Sequence, residues 1–259
     1  MSRLPEEDSS EPEFRLQCVC CALPRRVLQH VAAHAMEGHA RRLAQHDRVS
    51  ARIREGRGSR EEEPAPLRLF AAQPATTKRG GPKGAVRTVY DAGGIEELPG
   101  RLARAEGERA VGDPAVNAAY NNVGLTLQFY AKVFGRRSLD GHGMPVASSV
   151  HYGDRFSNAM WTGRQMLFGD GDGIHIMGFA QSLDVVAHEL THAVTQSVVP
   201  GGLGQQRRGG KVKLVGQAGA LNESFSDVFA SMVKQWHAKQ NAREADWLIG
   251  AGVLAPQLV

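Results

Sequence analysis

Two histidines and a glutamate in the stretch VVAHELTHAV, residues 185–194, have the spacing of a metal site. Residues four apart on a helix lie on one face, so His188 and His192 can direct two imidazole nitrogens at the same ion. Glu189 is rotated by about 100° from His188, because a helical turn takes about 3.6 residues. It is therefore better placed to face a metal-bound water as a general base than to bind the metal. The H-E-x-x-H pattern predicts a zinc ion and a hydrolytic water.

A catalytic zinc needs a third protein ligand and an open fourth position. The metzincin class supplies a histidine six positions after the motif, but Val198 occupies that position here. Further along, NESFSD places Glu223 and Asp227 four apart on one helical face. Glu223 completes a His₂Glu ligand set, and Asp227 can accept the other N–H of a ligand histidine. Solvated charges at these two positions, and a chance H-E-x-x-H match in a structural protein, are the alternatives.

Two helices must carry these residues. Ser182 is a candidate N-cap for LDVVAHELTHAVTQSVV, and Pro200-Gly201-Gly202 ends that helix. The second helix, GALNESFSDVFASMVKQWHAKQ, has apolar residues at helical spacing. We expect that stripe to be buried, and it consists of Leu221, Phe225, Val228, Met232 and Trp236.

The region before these helices is predicted to be rich in strands. VRTVYDAGG alternates and then turns, and VASSVHYG and NAMWTGRQMLFGDGDG form further short strands joined by Gly-Asp turns. One long helix interrupts them. It begins at Asp113-Pro114, an N-cap followed by proline, and stops at Gly135.

Composition fits a globular protein of one or two domains, with 259 residues, 42% hydrophobic and 22% charged. The net charge of +4 is modest, and we predict neither a nucleic-acid nor a membrane partner. The N-terminus, MSRLPEEDSSEPEF, lacks the pattern of a secretory signal peptide, which favours the cytoplasm or non-classical export. The three cysteines, Cys18, Cys20 and Cys21, are interpreted as reduced thiols in a separate N-terminal segment.

Residues 86–250 resemble the thermolysin family of zinc metallopeptidases. RTVYDAGG, DPAVNAAYNNVG, NAMWTGRQMLFGDGDG, HELTHAVTQ and GALNESFSDVF follow that family's order. The resemblance implies an α+β fold of the thermolysin-like (gluzincin) type, whose N-terminal catalytic half has a β-rich region, 75–180, before two zinc-binding helices, 181–240. Residues 241–259 resemble the start of a second helical lobe, which we expect to be truncated. Residues 1–74 resemble the propeptide and linker of the protealysin-like branch, so we expect a proform with its peptidase domain at 75–259.

The resemblance also implies roles for single residues. Zinc would be bound by His188, His192 and Glu223, and Glu189 would act as the general base in peptide hydrolysis. Further residues would have three other roles: to orient the ligand imidazoles, to hold the substrate main chain by strand addition, and to bind calcium. These are Asp227 for His188 and Asn222 for His192, Asn158 and Ala159 for the substrate, and Asp184 for calcium. Peptide or protein substrates and the chain's own propeptide are the expected partners.

Two departures from the family pattern bear on activity. Residues 200–213 add a Gly- and Arg-rich insertion, expected as a surface loop, and Leu214 lies where the family has a tyrosine beside the oxyanion. The missing second lobe would leave the cleft without one wall and expose helix surface to a partner. The alternative to an endopeptidase is therefore a non-catalytic zinc-binding remnant that binds peptides or an enzyme.

Overall fold

The structure, a computed structural model, describes residues 41, 45–46, 48–50, 52, 85–199, 202–208, 211–214 and 216–256. The cysteines and most of the predicted propeptide lie outside these residues. The strands are β1 (Arg87–Asp91), β2 (Arg101–Ala105), β3 (Val146–Val150), β4 (Ala159–Trp161), β5 (Met166–Phe168), β6 (Gln205–Arg208) and β7 (Lys211–Leu214). The α-helices are α1 (Pro114–Phe134), α2 (Leu183–Val198) and α3 (Gly216–Ala238), with 3-10 turns at Phe179–Gln181 and Ala251–Val253.

Five strands form one mixed sheet in the order β2-β1-β3-β5-β4. The three inner strands run parallel, while β2 and β4 pair antiparallel at the two edges. The β4 edge matters most for the site, because among the described strands β4 pairs with β5 alone. The mixed sheet and helices confirm the predicted α+β fold.

Helix α1 begins and ends where its local sequence predicts. The Asp113 carboxylate accepts hydrogen bonds from the N–H groups of Ala115 and Val116, and Pro114 occupies the first helical position. Gly135 ends the helix in the left-handed conformation at φ 65°, which glycine adopts without steric cost. One apolar face of α1 packs on the sheet and on α2 in a single large core. This core supports the part of α2 that contains the H-E-x-x-H motif.

Helix α3 packs against α2 through small and polar side chains rather than through its apolar stripe. Its buried residues are Gly219, Asn222, Ser226, Ala230, Ser231 and Val233. The predicted burial of the stripe is wrong for four residues, since Leu221, Phe225, Val228 and Met232 are 46%, 42%, 50% and 39% exposed. Trp236, in contrast, packs against the cluster that joins α1, α2 and α3. Helical periodicity showed that one face is apolar, but contact with α2 determines which face is covered.

Two regions outside the main sheet have regular secondary structure. The insertion at 200–213, predicted as a loop, contains most of an antiparallel hairpin of β6 and β7. The described residues between 41 and 52 are helical, and Val49 packs into a small apolar cluster with Tyr152 and Phe156. Among all described residues, no helix is long and apolar enough to cross a membrane.

Candidate metal centre

Helices α2 and α3 bring three ligand atoms together in a buried site. His188 Nε2 lies 3.1 Å from His192 Nε2, and both nitrogens lie within 3.5 Å of Glu223 Oε2. The two histidines share a face because they are one turn apart in α2, as the spacing predicts. Glu223 comes from the adjacent helix, and its side chain closes the site from that side.

The other nitrogen of each imidazole has a hydrogen-bond partner on α3. His188 Nδ1 lies 2.8 Å from Asp227 Oδ1, and His192 Nδ1 lies 2.9 Å from Asn222 Oδ1. Ser226 Oγ also lies 3.1 Å from His192 Nδ1, a contact that the sequence interpretation missed. An N–H at each Nδ1 satisfies these oxygens, which leaves a lone pair on each Nε2 directed into the site.

The charges around the site favour a cation. Burial lowers the pKa of His188, but hydrogen bonds to Asp227 and Glu223 raise it to about 10. Burial alone would raise the pKa of Glu223, yet the two imidazoles beside it lower it well below its ordinary value. The carboxylates around His188 stabilise its positive form, and the imidazoles stabilise the negative form of Glu223. A metal cation held between these groups would take the place of the imidazole proton.

The donor set fits zinc. Ligand atoms about 2.0–2.2 Å from a tetrahedral ion lie roughly 3.3–3.6 Å apart, and the three separations here are 3.1, 3.4 and 3.5 Å. Two imidazole nitrogens and one carboxylate form a ligand set known for catalytic zinc. Among the described residues, the buried Oε1 of Glu223 has no hydrogen-bond partner, so this carboxylate keeps free lone pairs that could coordinate a metal ion. His188, His192 and Glu223 would therefore hold the ion.

Glu189 lies beside this site and is fully buried. Its Oε2 accepts a hydrogen bond of 2.7 Å from the backbone N–H of Trp161 in β4. Its Oε1 has no hydrogen-bond partner among the described residues. One oxygen of the carboxylate is thus fixed by the edge strand, while the other remains available to a water or a substrate group. No sequence signal marks the Trp161 amide, because any residue other than proline could supply it.

The predicted substrate residues lie at the start of the edge strand, where part of the N-terminal segment covers them. Asn158 is fully buried, and its Nδ2 donates to Ser50 Oγ at 3.0 Å. Asn158 Oδ1 accepts from the N–H of Ala159 at 2.9 Å, so that amide is already paired. Nearby, His46 Nε2 lies 3.1 Å from the Asp154 carbonyl oxygen. The helical residues between 41 and 52 therefore contact the strand end that was predicted to bind substrate.

Asp184, the predicted calcium residue, lies in the first turn of α2 and is buried. The groups that contact its carboxylate are all hydrogen-bond donors. They include the hydroxyl of Ser182, the N–H groups of Val185 and Gly250, and the ammonium of Lys234. Ser182 precedes α2 as predicted, but its hydroxyl bonds to Asp184 instead of capping the helix backbone.

Comparison with known proteins agrees with this architecture. Residues 87–196 match the model of the thermolysin metallopeptidase catalytic domain, and residues 211–258 match that of the alpha-helical domain. The chain belongs to the thermolysin family. Its relatives include an extracellular metalloprotease of Pectobacterium carotovorum subsp. carotovorum, 52% identical over 65% of this chain and 46% of that protein. Protease PrtS of Photorhabdus sp. (strain Az29) is 44% identical over 65% of this chain and 43% of its own length.

A solved structure places this thermolysin-family chain in the protealysin-like branch. The precursor of protealysin, a metalloproteinase from Serratia proteamaculans, superposes with a TM-score of 0.60 and is 46% identical. The match covers 69% of this chain and 52% of that one. The chain thus spans about half the length of the curated relatives it matches. Fold and family follow from these matches.

Proposed function

We propose that this chain is a zinc-dependent endopeptidase that hydrolyses peptide bonds and is made as a proform. The observation that carries the proposal is the set of three acceptor atoms on His188, His192 and Glu223 that face one another beside Glu189. Three lone pairs pointing into one buried space repel each other unless a cation lies between them. Relatives named metalloprotease and thermolysin support the class of reaction.

The proposed chemistry divides between the metal and the chain. When bound, zinc lowers the pKa of a water towards about 7 and polarises the scissile carbonyl. Glu189 is held by the Trp161 N–H at one oxygen, so its free Oε1 keeps a fixed direction. That oxygen takes a proton from the attacking water and passes it to the leaving nitrogen. Asp227 and Asn222 keep the Nε2 atoms of the imidazoles directed at the ion by bonding to the opposite ring nitrogens.

The edge strand β4 supports an extended peptide as the substrate. An edge strand offers unpaired main-chain groups, and a peptide can add to it as a further strand. Trp161 joins this edge to the site, because its own N–H holds the general base. Asn158 and Ala159 at the start of β4 remain the proposed substrate contacts. A peptide laid along β4 would then reach Glu189 without any rearrangement of the sheet.

The N-terminal segment supports the proform part of the proposal. The Ser50 hydroxyl accepts a hydrogen bond from the Asn158 side-chain amide, and the neighbouring Val49 packs in one apolar cluster with Phe156. Residues 1–74 would be the propeptide and linker, and 75–259 the peptidase domain. A peptide could bond to the Asn158 side chain only after this segment leaves. Cleavage in the linker, near Ala75, would release it.

The test is hydrolysis of a quenched-fluorescent peptide library by the full chain, before and after limited proteolysis, with the zinc content measured. Glu189→Gln is the matched variant, since it keeps the size and the Trp161 contact but cannot take the proton. We expect at least about a 100-fold loss of rate in Glu189→Gln, with zinc stoichiometry unchanged. N-terminal sequencing of the active fraction should show that residue 1 has been removed.

Two results would contradict parts of this proposal. Activity that keeps residue 1 would refute the proform but leave the peptidase intact. A second result would be one zinc bound per chain but no peptide hydrolysis by wild type or Glu189→Gln, before or after proteolysis. That result would favour the non-catalytic zinc-binding module. In that case the chain would bind peptides along the edge strand without cleaving them, and fluorescence polarisation of a labelled peptide would measure this binding.

A further inference from the structure

The ammonium of Lys234 lies among oxygen atoms where α3, the start of α2 and the C-terminal segment meet. Lys234 Nζ donates to Asp246 Oδ2 at 2.9 Å and to the carbonyl oxygen of Leu248. It also lies 3.6 Å from Asp184 Oδ2, which makes an ion pair. The Lys234 side chain is 20% exposed and that of Asp184 is 4% exposed, so the pair is largely shielded from water.

The remaining capacity of Asp184 is taken by other donors. Its Oδ1 accepts from the Ser182 hydroxyl and from the Val185 N–H at 2.8 Å. Its Oδ2 accepts from the Gly250 N–H at 3.0 Å. All of these contacts of the carboxylate are therefore with groups that donate a hydrogen atom. These donors already occupy the lone pairs of the carboxylate that a metal ion would use.

Calcium requires a different shell. It takes about 6–8 oxygen ligands at about 2.3–2.6 Å, whereas the oxygen atoms of Asp184, Asp246 and Leu248 surround the Lys234 ammonium instead. The ammonium would also repel a divalent cation placed between the two carboxylates. We propose that Lys234 takes the place of the calcium ion expected at Asp184, as a cation that belongs to the chain itself.

The position of Lys234 gives this cation a structural role. It ties α3 to Asp184, which lies one turn before His188 in α2, and to the segment at 246–250. The two helices that carry His188 and Glu223 are thereby joined at a second point, away from the metal ligands. The same ammonium also acts on Asp246, because its hydrogen bond lowers the pKa of that carboxyl. A calcium ion would make a similar link, but the link would then depend on the calcium concentration.

The experiment measures the thermal midpoint of the full chain in calcium-depleted buffer and again with millimolar calcium chloride. We expect the wild-type midpoint to change by less than about 1 °C, because the Lys234 ammonium already occupies the place of the ion beside Asp184. A calcium-dependent rise of several degrees that Asp184→Asn abolishes would overturn the proposal. The wild-type comparison itself needs no variant, and neither measurement depends on peptidase activity.

Two lysine variants near the C-terminal end of α3 test whether the contacts of Lys234 stabilise the fold. Lys234→Met keeps the length of the side chain and removes the charge, and we expect the midpoint to fall by roughly 3–8 °C. Lys239→Met removes an exposed lysine nearby and should change it by less than about 1 °C. Equal midpoints for the two variants would overturn the assignment of Lys234 as the joining cation.

Discussion

Replacing Asp227 by alanine removes the partner of His188 Nδ1, a carboxylate oxygen 2.8 Å away. His192 Nδ1, in contrast, faces two oxygens, Asn222 Oδ1 and Ser226 Oγ. The two imidazoles therefore differ in how much they depend on one neighbour. We expect zinc affinity to fall in Asp227→Ala and to change little in Ser226→Ala.

The magnitude follows from burial and redundancy. Loss of a hydrogen-bond partner of a ligand histidine typically costs about 10–100-fold in metal affinity. The Asp227 side chain is 54% exposed, so water can replace it as an acceptor, and we expect the lower end, about tenfold or about 1.4 kcal/mol. Asp227→Asn keeps an acceptor and loses only the charge, so it should cost about threefold. Ser226→Ala leaves Asn222 in place and should also stay below about threefold.

The assay is competition for zinc with a chromogenic chelator at fixed pH, with far-UV circular dichroism to confirm the helices. Glu97→Gln serves as the control, because it removes the same formal charge at an exposed position. Equal zinc affinities for Asp227→Ala and Glu97→Gln would refute the reasoning. So would a larger loss in Ser226→Ala than in Asp227→Ala, since it would show that Asn222 cannot hold His192 alone.

Two further predictions concern stability. Hydrogen bonds to Asp170 and then to Asp113, partly opposed by burial, raise the pKa of His151 to about 9. The raised value stabilises the fold below about pH 6.5, and about 2–3 kcal/mol of the free energy of unfolding should be lost as pH rises through about 9. Tyr130 Oη lies 2.7 Å from Thr191 Oγ1, and the threonine hydroxyl donates to a backbone carbonyl, so the tyrosine must donate. Tyr130→Phe should cost about 1 kcal/mol, measured by urea unfolding.

Matched variants control both measurements. His151→Gln should remove the loss of stability between about pH 7 and pH 10, whereas exposed His142→Gln should retain it. An identical pH profile for His151→Gln and wild type would show that the imidazole is not charged in the fold. Tyr90→Phe, at a half-buried tyrosine in β1, controls for hydroxyl removal as such. A cost in Tyr130→Phe no larger than in Tyr90→Phe would contradict the proposed bond.

Local sequence determined the features that one segment can specify by itself. Asp113, Pro114 and Gly135 set the limits of α1, because capping groups and a left-handed glycine act on neighbouring residues. The spacing of His188 and His192 placed two imidazoles on one face, because residues four apart in a helix lie one above the other. The α+β fold was also predicted correctly, on the order of motifs that the family comparisons match.

Contacts between distant segments were decided only by the tertiary structure. The apolar stripe of α3 was predicted to be buried, but the face with Asn222 and Ser226 packs on α2 instead. The Trp161 amide reaches Glu189 across 28 positions, and Ser50 reaches Asn158 across 108. Lys234 forms an ion pair with Asp184, where the sequence resemblance implied a calcium ion. Periodicity and spacing report which groups share a face, whereas the neighbour of that face depends on how separate elements pack, and no local pattern records it.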